Sequence, residues 1–149
     1  MLENATIERN KATVRELLAE VINTGRLDLC GRYLAPDRID HQDYGMPAEM
    51  ANGHEGFQRV VGIFRKAFPD LHLAAEFFVA DGEKTVAHIV VEGTYLGSFM
   101  GEPPTGKRFK VRGVDIFAFN ADGLISEHWG AFDALGMLRQ LGLMPTPAM

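Results

Sequence analysis

Apolar residues recur along this chain at three- and four-residue spacing up to about residue 70, and at every second place beyond it. In the first stretch, Val14, Leu17, Leu18, Val21 and Ile22 predict a helix over about Asn4 to Asn23. Thr24-Gly25 ends it, with glycine just past the C-terminus. Leu27, Cys30, Tyr33 and Leu34 predict a shorter helix closed by Pro36. Ile39 to Tyr44 reads as a short strand or turn, and Gly45 to Gly53 as a loop. Phe57, Val60, Val61, Phe64 and Phe68 form the apolar stripe of a third helix, which Pro69-Asp70 stops. Period-two alternation then predicts four strands, Leu71–Ala80, Lys84–Tyr95, Lys107–Phe119 and Leu124–Phe132, and a last short helix follows over about Ala134 to Leu141. Residues 143–149, with two prolines, read as a loose tail. Helices followed by a run of strands imply one α+β domain, a curved antiparallel sheet over three N-terminal helices with a pocket between the layers.

Alternation also singles out one carboxylate. Phe109, Val111, Gly113, Asp115, Phe117 and Phe119 share one face of a strand. An ionised group in that row is costly to bury, so Asp115 is either paired or lines a cavity as a candidate acid or base. Lys110 and Arg112 point to the other face, which favours the cavity.

Composition narrows the classes. The 149 residues are 46% hydrophobic and 23% charged, as in an ordinary globular domain, and the net charge of −5 argues against a nucleic-acid surface. Lys107, Arg108, Lys110 and Arg112 read as a solvated outer face. Cys30 is the only cysteine, so neither an internal disulfide nor a cysteine-based zinc site can form. No apolar run approaches the ~20 residues of a membrane span, and Met1-Leu2-Glu3-Asn4 lacks a signal-peptide pattern, so no membrane association and a cytoplasmic location are expected. Gly101-Glu102-Pro103-Pro104-Thr105-Gly106-Lys107 imitates a phosphate-binding loop, but Arg108 stands where Ser or Thr is required and a strand follows instead of a helix.

None of the five histidines has metal-site spacing to another. His54, His72 and His88 read as surface or hydrogen-bonded structural residues. His41, in Asp40-His41-Gln42-Asp43, and His128, alternating with Trp129, are candidates for the pocket or for structural hydrogen bonds. If Trp129 packs outward against a helix or a partner subunit, His128 looks inward. Asp133 precedes the last helix, where it can cap the first turn, line the cavity mouth, or both.

The ordered set Pro104-Thr105-Gly106-Lys107, Gly113-Val114-Asp115-Ile116-Phe117, Asp122-Gly123-Leu124-Ile125-Ser126-Glu127-His128-Trp129, Asp133 and Gln140-Leu141-Gly142 resembles the SnoaL-like polyketide cyclase family. Asn23-Thr24-Gly25, Leu34-Ala35-Pro36 and Asp40-His41 agree with it. The resemblance implies the cone-shaped α+β fold of the nuclear transport factor 2-like superfamily, usually a homodimer. It also implies cyclisation of a hydrophobic carbonyl compound by intramolecular aldol condensation through an enolate, without metal or organic cofactor. Such chemistry needs a base, oxyanion donors and an apolar cavity. Asp115, His41, His128 and Asp133 are the polar candidates, and Phe57, Phe64, Phe68, Phe117 and Trp129 supply walls or core. The segment Asp115–Asn120 is similar to the strand that carries the protonated oxyanion-hole aspartate in steroid ketoisomerases of the same superfamily. Their base aspartate falls near His41 and their helix tyrosine near Leu18, which disfavours steroid isomerisation itself. The alternatives are a non-catalytic binding module, or another isomerase, hydrolase or dehydratase on this fold. An epoxide hydrolase would need an Asp–Arg–Asp set, and Arg112 faces away from Asp115.

Overall fold

The computed structural model describes residues 2–145, 147 and 148. Helix α1 (Leu2–Glu16) runs directly into a π-helical segment, Leu17–Ile22, whose Leu17, Leu18, Val21 and Ile22 are buried. A 3₁₀ segment (Leu27–Arg32) follows, then strand β1 (Leu34–Asp40), a 3₁₀ turn (Ala48–Ala51) and helix α2 (Gly53–Ala67). Strands β2 (His72–Ala80), β3 (Lys84–Thr94), β4 (Arg108–Phe119) and β5 (Ile125–Phe132) come next, and α3 (Ala134–Gln140) ends the regular structure.

The five strands form one sheet in the order β1-β5-β4-β3-β2. β2 to β5 pair antiparallel, as their alternation predicts, but β1 joins β5 in parallel, so the sheet is mixed. Pro36 does not close a helix, because it lies inside β1, and Leu34 is the first residue of that strand and not part of a helical face. Proline is tolerated there because β1 is an edge strand with one neighbour. Residues 41–44, expected to share a strand or turn with Ile39, are irregular. Leu143, placed in the loose tail, donates its N–H to Leu138 O and packs against the core, while Thr146 and Met149 of that tail lie outside the described residues.

The core lies between the concave sheet face and the helices. At one end Phe68 is completely buried, with ring centroids 4.8 Å from Phe109, 5.5 Å from Phe99 and 5.7 Å from Tyr95. At the other end the side chains of α2 and the sheet stand apart and leave a cavity. The outer sheet face is ion-paired as its charges suggest: Arg108 meets Asp70 and Glu92, Lys110 meets Glu92, and Arg112 meets Glu76. Truncating the packed end should cost far more than truncating the outer face. Phe68→Ala is expected to lower stability by about 3–5 kcal/mol and the exposed outer-face Lys110→Ala by under ~1 kcal/mol, as read from chemical denaturation.

Candidate active site

The cavity has a volume of about 130 Å³ and lies between α2, the π segment and the sheet. Its wall is apolar, with Leu18, Phe57, Phe64, Ile89, Val91 and Phe117 among the lining side chains. Six polar residues interrupt that wall: Arg38, Asp40, Gln42, Tyr44, Asp115 and His128.

These polar groups form a connected line. His128 Nε2 lies 2.8 Å from Asp115 Oδ1, and His128 Nδ1 lies 2.9 Å from Asp40 Oδ1. The line crosses three adjacent strands, and the parallel β1–β5 register sets Asp40 opposite His128. Asp40 is saturated. Its Oδ1 also accepts from the Gln42 N–H at 3.0 Å, and its Oδ2 accepts from Arg38 Nη1 and from the Tyr44 hydroxyl, each at 3.0 Å. Asp115 is not. Its Oδ2 has no hydrogen-bond partner among the described residues.

Electrostatics sharpens the contrast. Burial opposes the charge on His128, but hydrogen bonds and charges from Asp115 and Asp40 outweigh it and raise the imidazole to about 9. Burial likewise opposes the Asp40 charge, yet His128, the Gln42 N–H and Arg38 pull the carboxyl down to about 2. Burial, then the Asp40 charge, pushes the Tyr44 hydroxyl upward. At neutral pH His128 is therefore an imidazolium with both nitrogens protonated, unable to accept a proton. Asp40 is a structural anion, which leaves Asp115 Oδ2 as the acceptor open to a ligand.

The sequence candidates divide. Asp115 and His128 meet at the cavity, and Phe57, Phe64 and Phe117 line it. His41 does not reach it: its ring stacks on Trp129 with centroids 4.8 Å apart and bonds Glu127 at 2.8 Å on the outer sheet face. The reason is parity, since Asp40 faces inward and its neighbour must face outward. Trp129 is outward for the same reason and does not line this cavity. Asp133 is exposed and caps α3, accepting from the Gly136 N–H at 2.8 Å, so it is not at the site. Phe68 belongs to the packed end of the core. Arg38, Asp40, Gln42 and Tyr44 escaped sequence reasoning. Their signal was the Arg38-Ile39-Asp40 alternation, read with the charged residues inside and Ile39 outside. An arginine does enter the cavity, but it is Arg38 and not Arg112, and His128 fills the space between the two aspartates.

Comparison with known proteins decides the family. The model for SnoaL-like polyketide cyclase matches residues 12–141. The chain belongs to the SnoaL-like polyketide cyclase family. Within it, nogalonic acid methyl ester cyclase of Streptomyces nogalater is 33% identical, over 84% of this chain and 92% of that protein. Aklanonic acid methyl ester cyclase DauD of Streptomyces sp. strain C5 is 30% identical, over 87% of this chain and 81% of that protein. Among solved structures, IdmH of Streptomyces antibioticus superposes with a TM-score of 0.77 at 31% identity, covering 89% of this chain and 98% of that one. The helices over a curved open sheet are the architecture expected of a SnoaL-like protein. Among the described residues, no helix is long and apolar enough to cross a membrane.

The charged line should be visible in stability. Below the ordinary histidine value of 6.5 the imidazolium is protonated whether folded or not, and its stabilisation is fully present; it is lost as pH rises through about 9. Asp40 behaves oppositely, stabilising above 3.8 and losing its contribution as pH falls through about 2. The melting temperature is expected to decline between about pH 6.5 and 9.5, with His128 contributing on the order of 3 kcal/mol. Calorimetry of His128→Gln should show that decline flattened.

Proposed function

We propose that this protein is a cofactor-independent cyclase that closes a ring in a hydrophobic polyketide-like substrate by intramolecular aldol addition through an enolate. The observation that carries the reading is the asymmetry of the two carboxylates on His128: Asp40 has every lone pair engaged, whereas Asp115 keeps Oδ2 free at an apolar cavity. Asp115 Oδ2 takes the proton α to a ketone. The enolate carbon attacks a second carbonyl of the same molecule, forming the C–C bond, and the resulting alkoxide takes the proton back from Asp115. Atoms balance with no net loss, so the product is an isomer of the substrate. His128 stays an imidazolium throughout and orients Asp115 from behind, and the apolar wall folds the chain so that the two carbons meet. An open cavity in which a carboxylate and a histidine converge also favours an enzyme over a binding module.

The relatives' names supply the substrates to try, nogalonic acid methyl ester and aklanonic acid methyl ester. Asp115→Asn should lower kcat on a turned-over ester by at least ~10²-fold, measured by chromatography of the cyclised product. His41→Ala should stay within about threefold of wild type, because its ring lies outside the cavity. Wild-type-like turnover by Asp115→Asn would remove Asp115 as the base.

A homodimer is part of the same proposal. Phe77, Val79 and Val114 are exposed on the outer sheet face, in register with His88, Val86, Ile116 and Trp129 on adjacent strands. Both signs of charge border this face, through Glu76, Arg112, Lys84 and Glu127, so a second copy related by a two-fold axis meets complementary groups. Sedimentation equilibrium should give a dimer, and Val79→Lys should shift it to monomer. A wild-type monomer at all accessible concentrations would refute the dimer.

A further inference from the structure

Enolate chemistry needs a hydrogen-bond donor for the carbonyl oxygen that becomes an oxyanion, and few donors at the cavity are free to act. Arg38 Nη2 is committed to the carbonyls of Ala51 and Gly53, and Nη1 gives one of its two hydrogens to Asp40, on a side chain only 3% exposed. Arg38 Nε has no partner among the described residues but is fully buried. Both His128 nitrogens are held by carboxylates. Tyr44 has one proton and two oxygens within reach, Asp40 Oδ2 at 3.0 Å and Gln42 Oε1 at 3.2 Å. The ionised Asp40 is the stronger acceptor and takes that proton. A phenol oxygen whose proton points elsewhere repels an amide oxygen at this distance. A half-turn of the Gln42 amide, which exchanges its nitrogen and oxygen, puts a donor there instead. Nε2 then gives one hydrogen to Tyr44 and keeps a second.

Gly130 locates that second hydrogen. It stands opposite Asp115 in the β4–β5 register. A Cβ at Gly130 would collide with the Gln42 amide, and would fall 2.7 Å from Asp115 Oδ1 and 3.0 Å from His128 Cε1. The absent side chain is thus a socket in which amide, carboxylate and imidazole meet. A ketone carries its α-proton and its oxygen on adjacent carbons, so the oxyanion donor must sit beside the base. Gln42 sits beside Asp115. We infer that Gln42 is a further catalytic residue, whose carboxamide N–H binds the substrate carbonyl oxygen as the enolate forms, and that Gly130 is the position whose missing side chain admits it. This inference rests on the enolate chemistry proposed above.

Gln42→Leu keeps the bulk of the side chain and removes the donor. Its kcat for nogalonic acid methyl ester should fall about 10²-fold, with KM within about threefold. The His128 titration midpoint, followed by NMR, should stay at about 9, because the Asp40 and Asp115 contacts are untouched. Gly130→Ala should lose kcat as well, and adding Gln42→Leu to it should cost little more. A second arm needs no turnover: 2-naphthol, a phenol that imitates an enol, should bind Gln42→Leu about tenfold more weakly than wild type by fluorescence titration. Unchanged kcat or unchanged naphthol affinity in Gln42→Leu overturns the assignment. So does a lost kcat accompanied by a fall in the His128 midpoint, which would make Gln42 a structural prop. If the wild-type protein leaves both methyl esters unchanged, the cyclase reading fails on its own, and the naphthol comparison still decides the role of Gln42.

Discussion

One imidazolium held between two carboxylates organises this molecule. His128 on β5 ties Asp40 on β1 to Asp115 on β4, across three neighbouring strands. Arg38 completes the set, so two positive and two negative charges lie against an apolar wall with no net charge. Buried charges are tolerable only when each is paired and its hydrogen bonds are satisfied. Asp40 meets that condition fully, with four donors on two oxygens. Asp115 meets it by half, and the unmet half is the oxygen that the proposed base would use. A site in which both aspartates were equally satisfied would be a salt-bridge network and nothing more.

The same arrangement explains what could be read from the sequence. Strands β2 to β5 keep the two-residue period apart from register shifts at Ala75/Phe77 and Ala118/Phe119, so their bounds and the inward set Phe109, Val111, Gly113, Asp115 and Phe117 were legible, and the alternation of His128 with Trp129 allowed two registers. Strand β1 was not legible. It contains a proline and inverts the usual pattern, with Arg38 and Asp40 buried and Ile39 45% exposed. A rule that places apolar residues inside fails where polar residues line a cavity, so sequence reasoning met its limit at the site itself. The consequence was a slip of one residue, from Asp40 to His41. Asp133 kept two readings for another reason: a capping aspartate and a catalytic aspartate at a strand end look alike until the direction of the side chain is known, and here the cap is what forms.

Strand β5 shows how closely the inner and outer faces are coupled. Its inward residues His128 and Gly130 build the site, and its outward residues Glu127 and Trp129 hold His41. A slip of one residue would exchange the two sets and bring an indole and a carboxylate into the cavity. The His41 N–H donates to His128 O at 2.8 Å, which pins the end of β1 to β5 directly after Asp40. The His41 backbone thus holds the strand end, whatever its ring does, and keeps Asp40 turned inward. Its place next to the chemistry in sequence and away from it in space follows from the two-residue period of a strand. The outer contacts and the inner charge line are therefore two faces of one register, which the backbone pairing and not the His41 ring maintains.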